Sequence, residues 1–371
     1  MKILFISSWF PNKLEPTNGN FVQRHAEAAA LFHDVEILHA IGDINQKEEF
    51  IFDDNIINGI RTLVVYYKNT HNPILNFIKR IKAYKKGFQR MQKPELVHAN
   101  VLHNNMLFAV YLKKKYKIPF IVTEHWTALR RNNYNITSSK IKRIAKYIGN
   151  QASVICPVSE DLKKGIENIG VKKPMVVIPN VVDTHLFSPR FTENSVFNFI
   201  HISSLIPRKN VGKILKVAIK LLKKGYNFTL QIGGDGDFSE IKNIVKKEDL
   251  QNNIDVFGMQ TLKQVSQRMH DADCFILFSD DENQPCVIAE SFASGIHVIS
   301  TNVGGISEFF PENSGILLDN ADENLLENAM IKILSDHHSF CNKDTLVQYA
   351  QKTFSQETIG KQFSEIYHKV I

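Results

Sequence analysis

The sequence lacks the features that would assign it to several specialised classes of protein. Its four cysteines, Cys156, Cys274, Cys286 and Cys341, are scattered without metal-ligand spacing, which favours buried thiols in a reducing compartment. No apolar run is long enough to span a bilayer. The N-terminal residues lack the apolar core and cleavage site of a secretory signal. We therefore expect a cytoplasmic protein.

The overall composition is that of an ordinary globular protein. Apolar residues make up 43% of the sequence and charged residues 22%. The chain has 371 residues, which exceeds one ordinary domain. Two domains of roughly 180 residues each are therefore expected.

Positive charge is concentrated in residues 71–146, which we call the basic region. It holds seventeen Lys and Arg residues against two acidic ones, Glu95 and Glu124. Such a surface attracts a membrane, a phosphorylated lipid or a nucleic acid. The lysines lack interleaved exposed aromatics and a known nucleic-acid module, which argues against nucleic acid.

A strongly periodic helix is predicted over residues 73–91 of the basic region. Ile74, Phe77, Ile78, Ile81 and Tyr84 continue its apolar repeat, and lysines and arginines occupy the other positions. The favoured interpretation is that the apolar residues pack on a sheet. Contact between the basic side and an anionic membrane is an additional hypothesis.

The order of predicted elements indicates two α/β domains. The first half opens with a strand over residues 2–6, a loop containing Gly19 and a helix over residues 21–32. Later strands include residues 175–178, whereas residues 43–58 are expected to be irregular. Residues 179–189 read as a linker, after which strands and helices alternate again to residue 300. The remainder is predicted to be helical, with breaks near Ser335 and Ser355.

The stretch from residue 279 to residue 295 is the most informative in the sequence. It follows a buried strand, and Pro285 suits the first turn of the helix that comes next. Glu282 precedes this helix and Glu290 lies eight positions later, so both carboxylates can lean toward one edge of it. The N–H groups at its start are suited to binding an anion. Alternatively, the two glutamates are an ordinary solvated face.

Other candidate polar residues also follow predicted strands, where open α/β sheets bind their ligands. In the second half these are Arg208 with Lys209, the Gly233–Gly236 turn and the Gly304-Gly305 loop. Arg208 and Lys209 would supply positive charge to a diphosphate. In the first half, Glu124 and His125 end a strand. A hydrogen-bonded core histidine is the alternative for His125, and a plain turn glycine is the alternative for Gly19.

Together these motifs resemble the retaining glycosyltransferases of family 4. The resemblance spans nearly the whole chain. It is carried by five ordered segments: Val177-Ile178-Pro179-Asn180-Val181-Val182-Asp183, Pro207-Arg208-Lys209-Asn210, Ile232-Gly233-Gly234-Asp235-Gly236, Phe257-Gly258, and Glu282-Asn283-Gln284-Pro285 through Glu290-Ser291-Phe292-Ala293-Ser294-Gly295. The segment from Trp9 to Phe21 is similar to the family's first loop.

The resemblance implies the GT-B architecture, in which two Rossmann-like, doubly wound domains face each other across a cleft. Residues 1–179 would bind the acceptor and residues 180–354 the nucleotide sugar. Residues 355–371 would form a helix that crosses back to the N-terminal domain.

The resemblance also implies roles for individual residues. Glu282, His125 and Lys209 would be catalytic: Glu282 holds the transferred sugar, His125 lies near it and Lys209 binds the diphosphate. Glu290 would bind the ribose hydroxyls. The remaining donor-binding residues would be Gly19, Arg208, Gly234, Asn283, Gln284, Pro285, Cys286 and Val287. One departure is that Ser203-Ser204-Leu205 stands where many members have Gly-Arg-Leu, so Arg208 would have to replace the arginine missing at Ser204.

The expected activity is transfer of a sugar from a nucleoside-diphosphate sugar, with retention, to a glycan or lipid-linked acceptor in cell-surface polysaccharide biosynthesis. No metal or other cofactor is expected, since Asp271-x-Asp273 reads as a turn before a buried strand. The location would be the cytoplasm, with peripheral contact at the inner membrane face. A sugar-nucleotide epimerase of the same architecture is the alternative. An NAD-dependent dehydrogenase is disfavoured because the first strand–loop lacks G-x-G-x-x-G.

Overall fold

A computed structural model describes residues 1–192 and 194–371 of the chain. These residues form two compact units. The first unit comprises Met1–Val181 and Gln356–Ile371, and the second unit comprises Val182–Ser355. Each unit is an α/β structure with its own sheet and its own apolar cores.

The first unit is built on a seven-stranded sheet with the order β3-β4-β2-β1-β5-β6-β7. Its strands are β1 (Lys2–Ser7), β2 (Asp34–Asp43), β3 (Phe50–Ile57), β4 (Ile60–Lys68), β5 (Leu96–Asn100), β6 (Phe120–Glu124) and β7 (Ile155–Pro157). Its helices are α1 (Asn20–Ala30), α2 (Pro73–Phe88), α3 (Leu107–Tyr116), α4 (Ser139–Gln151), α5 (Glu160–Asn168) and α12 (Gln356–Val370). The strands pair in parallel except for β3, which is antiparallel to β4.

Both faces of this sheet are covered, as a doubly wound fold requires. Leu4 and Ile6 of β1 belong to one apolar core, whereas Ile3 and Phe5 belong to another. Successive side chains of a strand point to opposite faces. The two cores therefore lie on the two sides of the sheet.

Two predictions for the first unit were wrong. Residues 43–58, expected to be irregular, include β3, which pairs with β4 through the two-residue turn Asn58-Gly59. Both turn residues have positive φ, 49° and 79°, which suits the twist of a hairpin. The expected strand over residues 175–178 is reduced to a bridge between Met175 and Ile155.

Helix α2 packs through only part of the predicted apolar face. Asn72 caps the helix by accepting hydrogen bonds from the N–H groups of Ile74 and Leu75. Ala83, Tyr84 and Gly87 near its end are buried. At its start, however, Ile74, Leu75 and Ile78 are exposed by 70%, 48% and 45%. The predicted packing is therefore correct for the second half of α2 and wrong for the first.

Helix α12 belongs to the first unit and packs on α1. Gly360 allows the close approach, because a Cβ there would lie 2.1 Å from the carbonyl oxygen of Ala28. Phe363 and Tyr367 are fully buried. The Tyr367 hydroxyl lies 2.6 Å from Nδ1 of His98 in β5, and Nε2 of His98 lies 2.6 Å from the hydroxyl of Thr123 in β6. These contacts join α12 to the middle of the sheet.

The second unit has a six-stranded parallel sheet with the order β10-β9-β8-β11-β12-β13. Its strands are β8 (Phe197–Ser204), β9 (Phe228–Asp235), β10 (Ile254–Phe257), β11 (Cys274–Leu277), β12 (His297–Thr301) and β13 (Gly315–Leu318). Its helices are α6 (Val211–Lys223), α7 (Ser239–Lys247), α8 (Leu262–His270), α9 (Cys286–Ala293), α10 (Glu323–Asp336) and α11 (Lys343–Phe354). Phe199 and Ile200 of β8 again point into different cores.

Most elements of the second unit lie where the sequence predicts them, and the residues beyond β12 add a strand, β13, that the sequence pattern did not indicate. The predicted breaks near Ser335 and Ser355 correspond to the ends of α10 and α11. Within the described ranges, no helix combines the length and apolarity needed to cross a bilayer.

Candidate active site

The structure brings Lys209 and Glu282 together in a buried ion pair. Lys209 ends a short 3-10 turn, Pro207–Lys209, that follows β8, and Glu282 lies in the loop after β11. The ammonium group donates a hydrogen bond to Oε1 of Glu282, and the two side chains are only 10% and 8% exposed. Burying either charge without its partner would cost roughly several kcal/mol. The pairing therefore explains how both charged side chains can be buried at the carboxyl ends of β8 and β11.

Further hydrogen bonds join the two loops that carry this pair. The Arg208 guanidinium donates to the carbonyl of Asp281 at 3.0 Å, and the Asp280 N–H donates to the carbonyl of Arg208 at 2.8 Å. The amide of Asn210 donates to the carbonyl of Phe278 and to the Asp280 carboxylate. Arg208 therefore lies beside the Glu282 loop. Ser204, at the position of the missing motif arginine, is exposed.

Helix α9 begins directly after this loop. Pro285 precedes the helix as its N-cap residue instead of lying in the first turn, which corrects the prediction by one position. Glu290 lies in the helix and is 3% exposed. Asn283 and Gln284 are also buried, at 7% and 6%. The alternative of a solvated acidic face is therefore wrong for both Glu282 and Glu290.

The glycines at the end of β9 and after β12 have roles in the backbone structure, in addition to their predicted contacts with a ligand. Strand β9 continues through Gly233 and Gly234 to Asp235, so the predicted turn begins later than expected. Gly234 has φ 138°, and a Cβ there would lie 1.9 Å from the carbonyl oxygen of Ser203 in β8. The Gly305 N–H, expected to face a ligand, donates to the carbonyl of Asn283 at 2.9 Å. It supports the Glu282 loop.

In the first unit, Gly19 precedes α1 in the left-handed conformation, with φ 76°. A Cβ at this position would lie 2.4 Å from the carbonyl carbon and oxygen of Trp9. Both observations require glycine. Close packing against the loop after β1 is thus a sufficient reason for Gly19, and its predicted contact with phosphate stays a prediction.

His125 follows β6 and is 9% exposed. Its ring lies 4.2 Å from the ring of Phe21 and 5.1 Å from that of His25, measured between centroids. Burial lowers the pKa of His125 well below 6.5, the charges of His25 and His98 lower it further, and a hydrogen bond with Asn180 opposes the shift. His125 is therefore neutral near pH 7, which suits hydrogen bonding better than acid catalysis.

Glu124, next to His125, is a fully buried carboxylate. Oε1 accepts hydrogen bonds from the N–H groups of His125 at 2.9 Å and Trp126 at 2.6 Å, and Oε2 accepts one from the N–H of Leu102. Burial raises the pKa of Glu124 to about 7, while the three N–H donors favour the carboxylate and oppose the rise. Glu124 thus holds the backbone after β5 and β6.

The predicted site residues therefore fall into two sets. In the second unit, Lys209 pairs with Glu282, Arg208 donates to the carbonyl of Asp281 in the same loop, and α9 continues from this loop to Glu290. Gly19 and His125 belong to the first unit. Sequence reasoning missed the Asp280–Asn210 and Gly305–Asn283 contacts, for which no local pattern exists. In the part of the chain that the structure describes, no group of three or more His, Cys, Asp or Glu side chains is arranged to hold a metal ion.

Comparison with known proteins assigns the family. A profile described as glycosyl transferases group 1 matches residues 188–353, and one described as Glycosyltransferase Family 4 matches residues 20–186. The chain is 22% identical over 400 aligned positions to a Bacillus subtilis glycosyltransferase, TuaC, whose name provisionally assigns it to teichuronic acid biosynthesis. That alignment covers 100% of this chain and 98% of the relative.

Solved structures show the same fold. Sucrose-phosphate synthase from Thermosynechococcus elongatus superposes with a TM-score of 0.78 at 18% identity, covering 100% of this chain and 98% of that one. HepE of Anabaena, solved with UDP-glucose, gives a TM-score of 0.73 at 18% identity over the full length of both chains. These likenesses confirm the predicted GT-B fold, and none of the matches supports an epimerase or a dehydrogenase. The chain is therefore a glycosyltransferase, and its residues 188–353 match the group 1 family.

Proposed function

We propose that the protein transfers a sugar, with retention at the anomeric carbon, from a nucleoside-diphosphate sugar to a glycan or lipid-linked acceptor in polysaccharide or glycoconjugate biosynthesis. The observation that carries the proposal is the buried Lys209–Glu282 pair at the carboxyl ends of β8 and β11, directly before α9. HepE, which has the same fold, was solved with UDP-glucose. A nucleotide sugar therefore suits a site of this kind.

In the proposed donor complex, positive charge and backbone N–H groups face the diphosphate. Lys209, with Arg208 beside it, and the first N–H groups of α9 stabilise the negative charge that develops on the leaving group. Glu290 binds the ribose hydroxyls, and Glu282 holds the transferred sugar. These residues supply the charge stabilisation themselves, so we expect transfer to continue in the presence of EDTA.

The proposed reaction breaks the bond between the anomeric carbon and the phosphate oxygen, and the electron pair leaves with the phosphate. The acceptor hydroxyl forms the new bond on the same face of the sugar and gives its proton to the departing phosphate oxygen. His125 is neutral and acts by holding the sugar. The scheme thus uses no separate protein base.

Two readouts test this proposal. NMR of the product formed from an α-linked donor should show an α-linked sugar, and a β-linked product would contradict retention. Lys209→Ala and Glu282→Ala should each lower kcat by about 100- to 1,000-fold. Lys223→Ala is the matched control, because Lys223 pairs with Glu248 on the surface. Near-normal turnover of the donor by both site variants would overturn the assignment.

We further propose that the basic region binds an anionic membrane on the cytoplasmic side, where a lipid-linked acceptor would lie. The exposed Ile74, Leu75 and Ile78 of α2, followed on that helix by Lys79 and Lys82, support this proposal. The protein should co-sediment with vesicles containing phosphatidylglycerol and not with neutral ones. Equal binding to both vesicle types, or to neither, would contradict it.

A further inference from the structure

Three aromatic rings form a half-exposed cluster in the first unit that none of the predicted site residues accounts for. Trp9 follows β1, His103 follows β5 and Trp126 follows β6, and these three strands are neighbours in the sheet. The centroids of Trp9 and Trp126 lie 6.1 Å apart, and those of His103 and Trp126 lie 5.7 Å apart. We call these three residues the aromatic platform.

The platform differs from the apolar core beneath it. Core residues within these strands, such as Phe5, Val97 and Val122, are fully buried. All three platform rings are only half-buried. They also lie at the carboxyl ends of parallel strands, which is where such sheets bind their ligands. Trp126 also packs against the core of the first unit and the ring of Trp9 lies 6.3 Å from that of Phe21, yet all three platform rings remain partly exposed.

The backbone under the platform is held at an energetic cost. Val101 is a β-branched residue in the left-handed region, with φ 70°, which is strained by about 1–3 kcal/mol. The Glu124 carboxylate is fully buried and accepts hydrogen bonds from the N–H groups of Leu102, His125 and Trp126. Strained and buried polar groups of this kind cluster at binding sites. Glu124 thereby holds the backbone at Trp126 and at Leu102, the residue before His103.

The platform is electrically neutral. Burial lowers the pKa of His103, and the charge of Arg80 lowers it further, so His103 is uncharged near pH 7. A small recess of about 90 Å³, lined by His103, Trp126, Lys140 and Ile141, opens beside it. This volume is well below the roughly 300 Å³ of an ordinary ligand pocket, so it suits one substituent of a larger ligand.

We infer that the aromatic platform binds a pyranose ring of the acceptor. One face of a pyranose ring presents C–H groups, which pack on the negative face of an aromatic ring, while its hydroxyls remain hydrated. A neutral, half-exposed aromatic surface suits such a ligand better than it suits a diphosphate. Trp126 is adjacent in sequence to His125, which lies near the reacting sugar in the proposed function, and the inference rests on that proposal.

The two tryptophans of the platform are the only ones in the sequence, so intrinsic tryptophan fluorescence reports on this site alone. Methyl glycosides of glucose, galactose and N-acetylglucosamine serve as probes for the full chain. We expect at least one to change the emission saturably, at millimolar concentration. A change caused by UDP alone and by none of the glycosides would assign the platform to the donor and overturn the inference.

Variants separate stacking from a structural role. Trp126→Ala should raise the apparent Kd of the glycoside at least tenfold, with Trp9 as the remaining reporter. Trp126→Phe keeps a ring and should stay within about threefold. Tyr147→Ala, on exposed Tyr147 of α4, is the control and should have no effect. If Trp126→Ala does not fold, His103→Ala replaces it, and wild-type affinity in the folded variant would overturn the inference.

A third readout distinguishes failure of this inference from failure of the proposed function. Slow cleavage of the nucleotide sugar by water requires the donor site and no acceptor. Trp126→Ala should lower kcat/KM for transfer to an acceptor at least tenfold more than it lowers the rate of this cleavage. If Trp126→Ala and the wild type transfer sugar to the acceptor equally well, the inference about the platform is overturned and the proposed function is not. A wild-type protein that cleaves no nucleotide sugar would overturn the proposed function, and the fluorescence test would still stand.

Discussion

The two units of this protein place polar groups at the ends of their strands in different ways. In the second unit, charges of opposite sign meet directly, as in the Lys209–Glu282 pair. In the first unit, the corresponding edge carries neutral histidines, aromatic rings and a carboxylate that binds backbone N–H groups. The contrast suits a charged diphosphate on one unit and a neutral sugar on the other. Three experiments can break or sharpen it.

The largest expected difference between the units is in their response to acid. His25, His39, His98 and His125 of the first unit are buried, and burial lowers the pKa of His25 and His39 to about 4 and that of His98 and His125 well below 6.5. Their unfolded pKa is near 6.5, so stability is lost as pH falls below 6.5. His25 and His39 each contribute about 2 kcal/mol of loss at pH 5, hence about 4 kcal/mol together, and His98 and His125 add to the loss in the same direction. Glu124, with its raised pKa, offsets about 2 kcal/mol of this.

In the second unit, the pKa of His201 is about 4 and that of His297 is lowered, both mainly by burial. Hydrogen exchange measured peptide by peptide at pH 7 and pH 5 should therefore show the first unit opening more on acidification. His39→Gln should reduce the response by about 2 kcal/mol, whereas His185→Gln, at an exposed position, should not change it. Earlier opening of the second unit would contradict this comparison.

The second experiment removes the charged pair. Lys209→Met leaves Glu282 buried without its partner and should cost about 3–5 kcal/mol in the free energy of unfolding. The double variant Lys209→Met/Glu282→Gln should recover most of that stability, because no unpaired charge remains. It should not recover sugar transfer, since the charge that faces the diphosphate is gone.

Urea unfolding measures the stability of each variant, and a transfer assay on the same samples measures its activity. Lys223→Met is the control: its pair with Glu248 is exposed by 58% and 28%, and its loss should leave the free energy of unfolding almost unchanged. A double variant that transfers sugar at the wild-type rate would show that the pair serves stability only.

The smallest expected effect is that of Glu124→Gln. The folded pKa of Glu124, about 7, lies above its usual 4.5, so its titration stabilises the fold below about pH 4.5 and this contribution is lost as pH rises through 7. Glutamine has no such titration. The stability deficit of the variant should therefore be about 2 kcal/mol larger at pH 5 than at pH 8. Urea unfolding at the two pH values measures it, with Glu365→Gln, at an exposed position of α12, as the control. A deficit independent of pH would contradict the assigned pKa.

The fold was predicted best where local patterns are strong. Residues 190–300 were predicted to alternate between strands and helices, and α6, β10 and α8 lie in that range. The hairpin of β3 and β4 was not predicted. Asn58-Gly59 is a strong turn signal, but the polar residues around it obscured the alternating apolar and polar pattern of a strand. Strand β9 runs through Gly233 and Gly234, which read as a turn in sequence. The strand continues there because β9 approaches β8 closely, and the sequence pattern does not show that approach.

The site was predicted by residue type but not by contact. The motif around Glu282 and the lysine at position 209 were both identified, yet they are 73 positions apart and only the sheet order makes them partners. The aromatic platform combines residues from three separate loops. Neither periodicity nor spacing connects Trp9 with Trp126. Such sites depend on topology, which a single sequence specifies only indirectly.

Helix α12 has a consequence for the order in which the chain can mature. Its residues are synthesised after the whole second unit, yet Phe363 and Tyr367 fill the core beside β1 and β5. While the ribosome is still making residues 182–355, the first unit lacks those side chains and leaves His98 without Tyr367. The first unit therefore cannot complete its core until the residues that follow the second unit have been made.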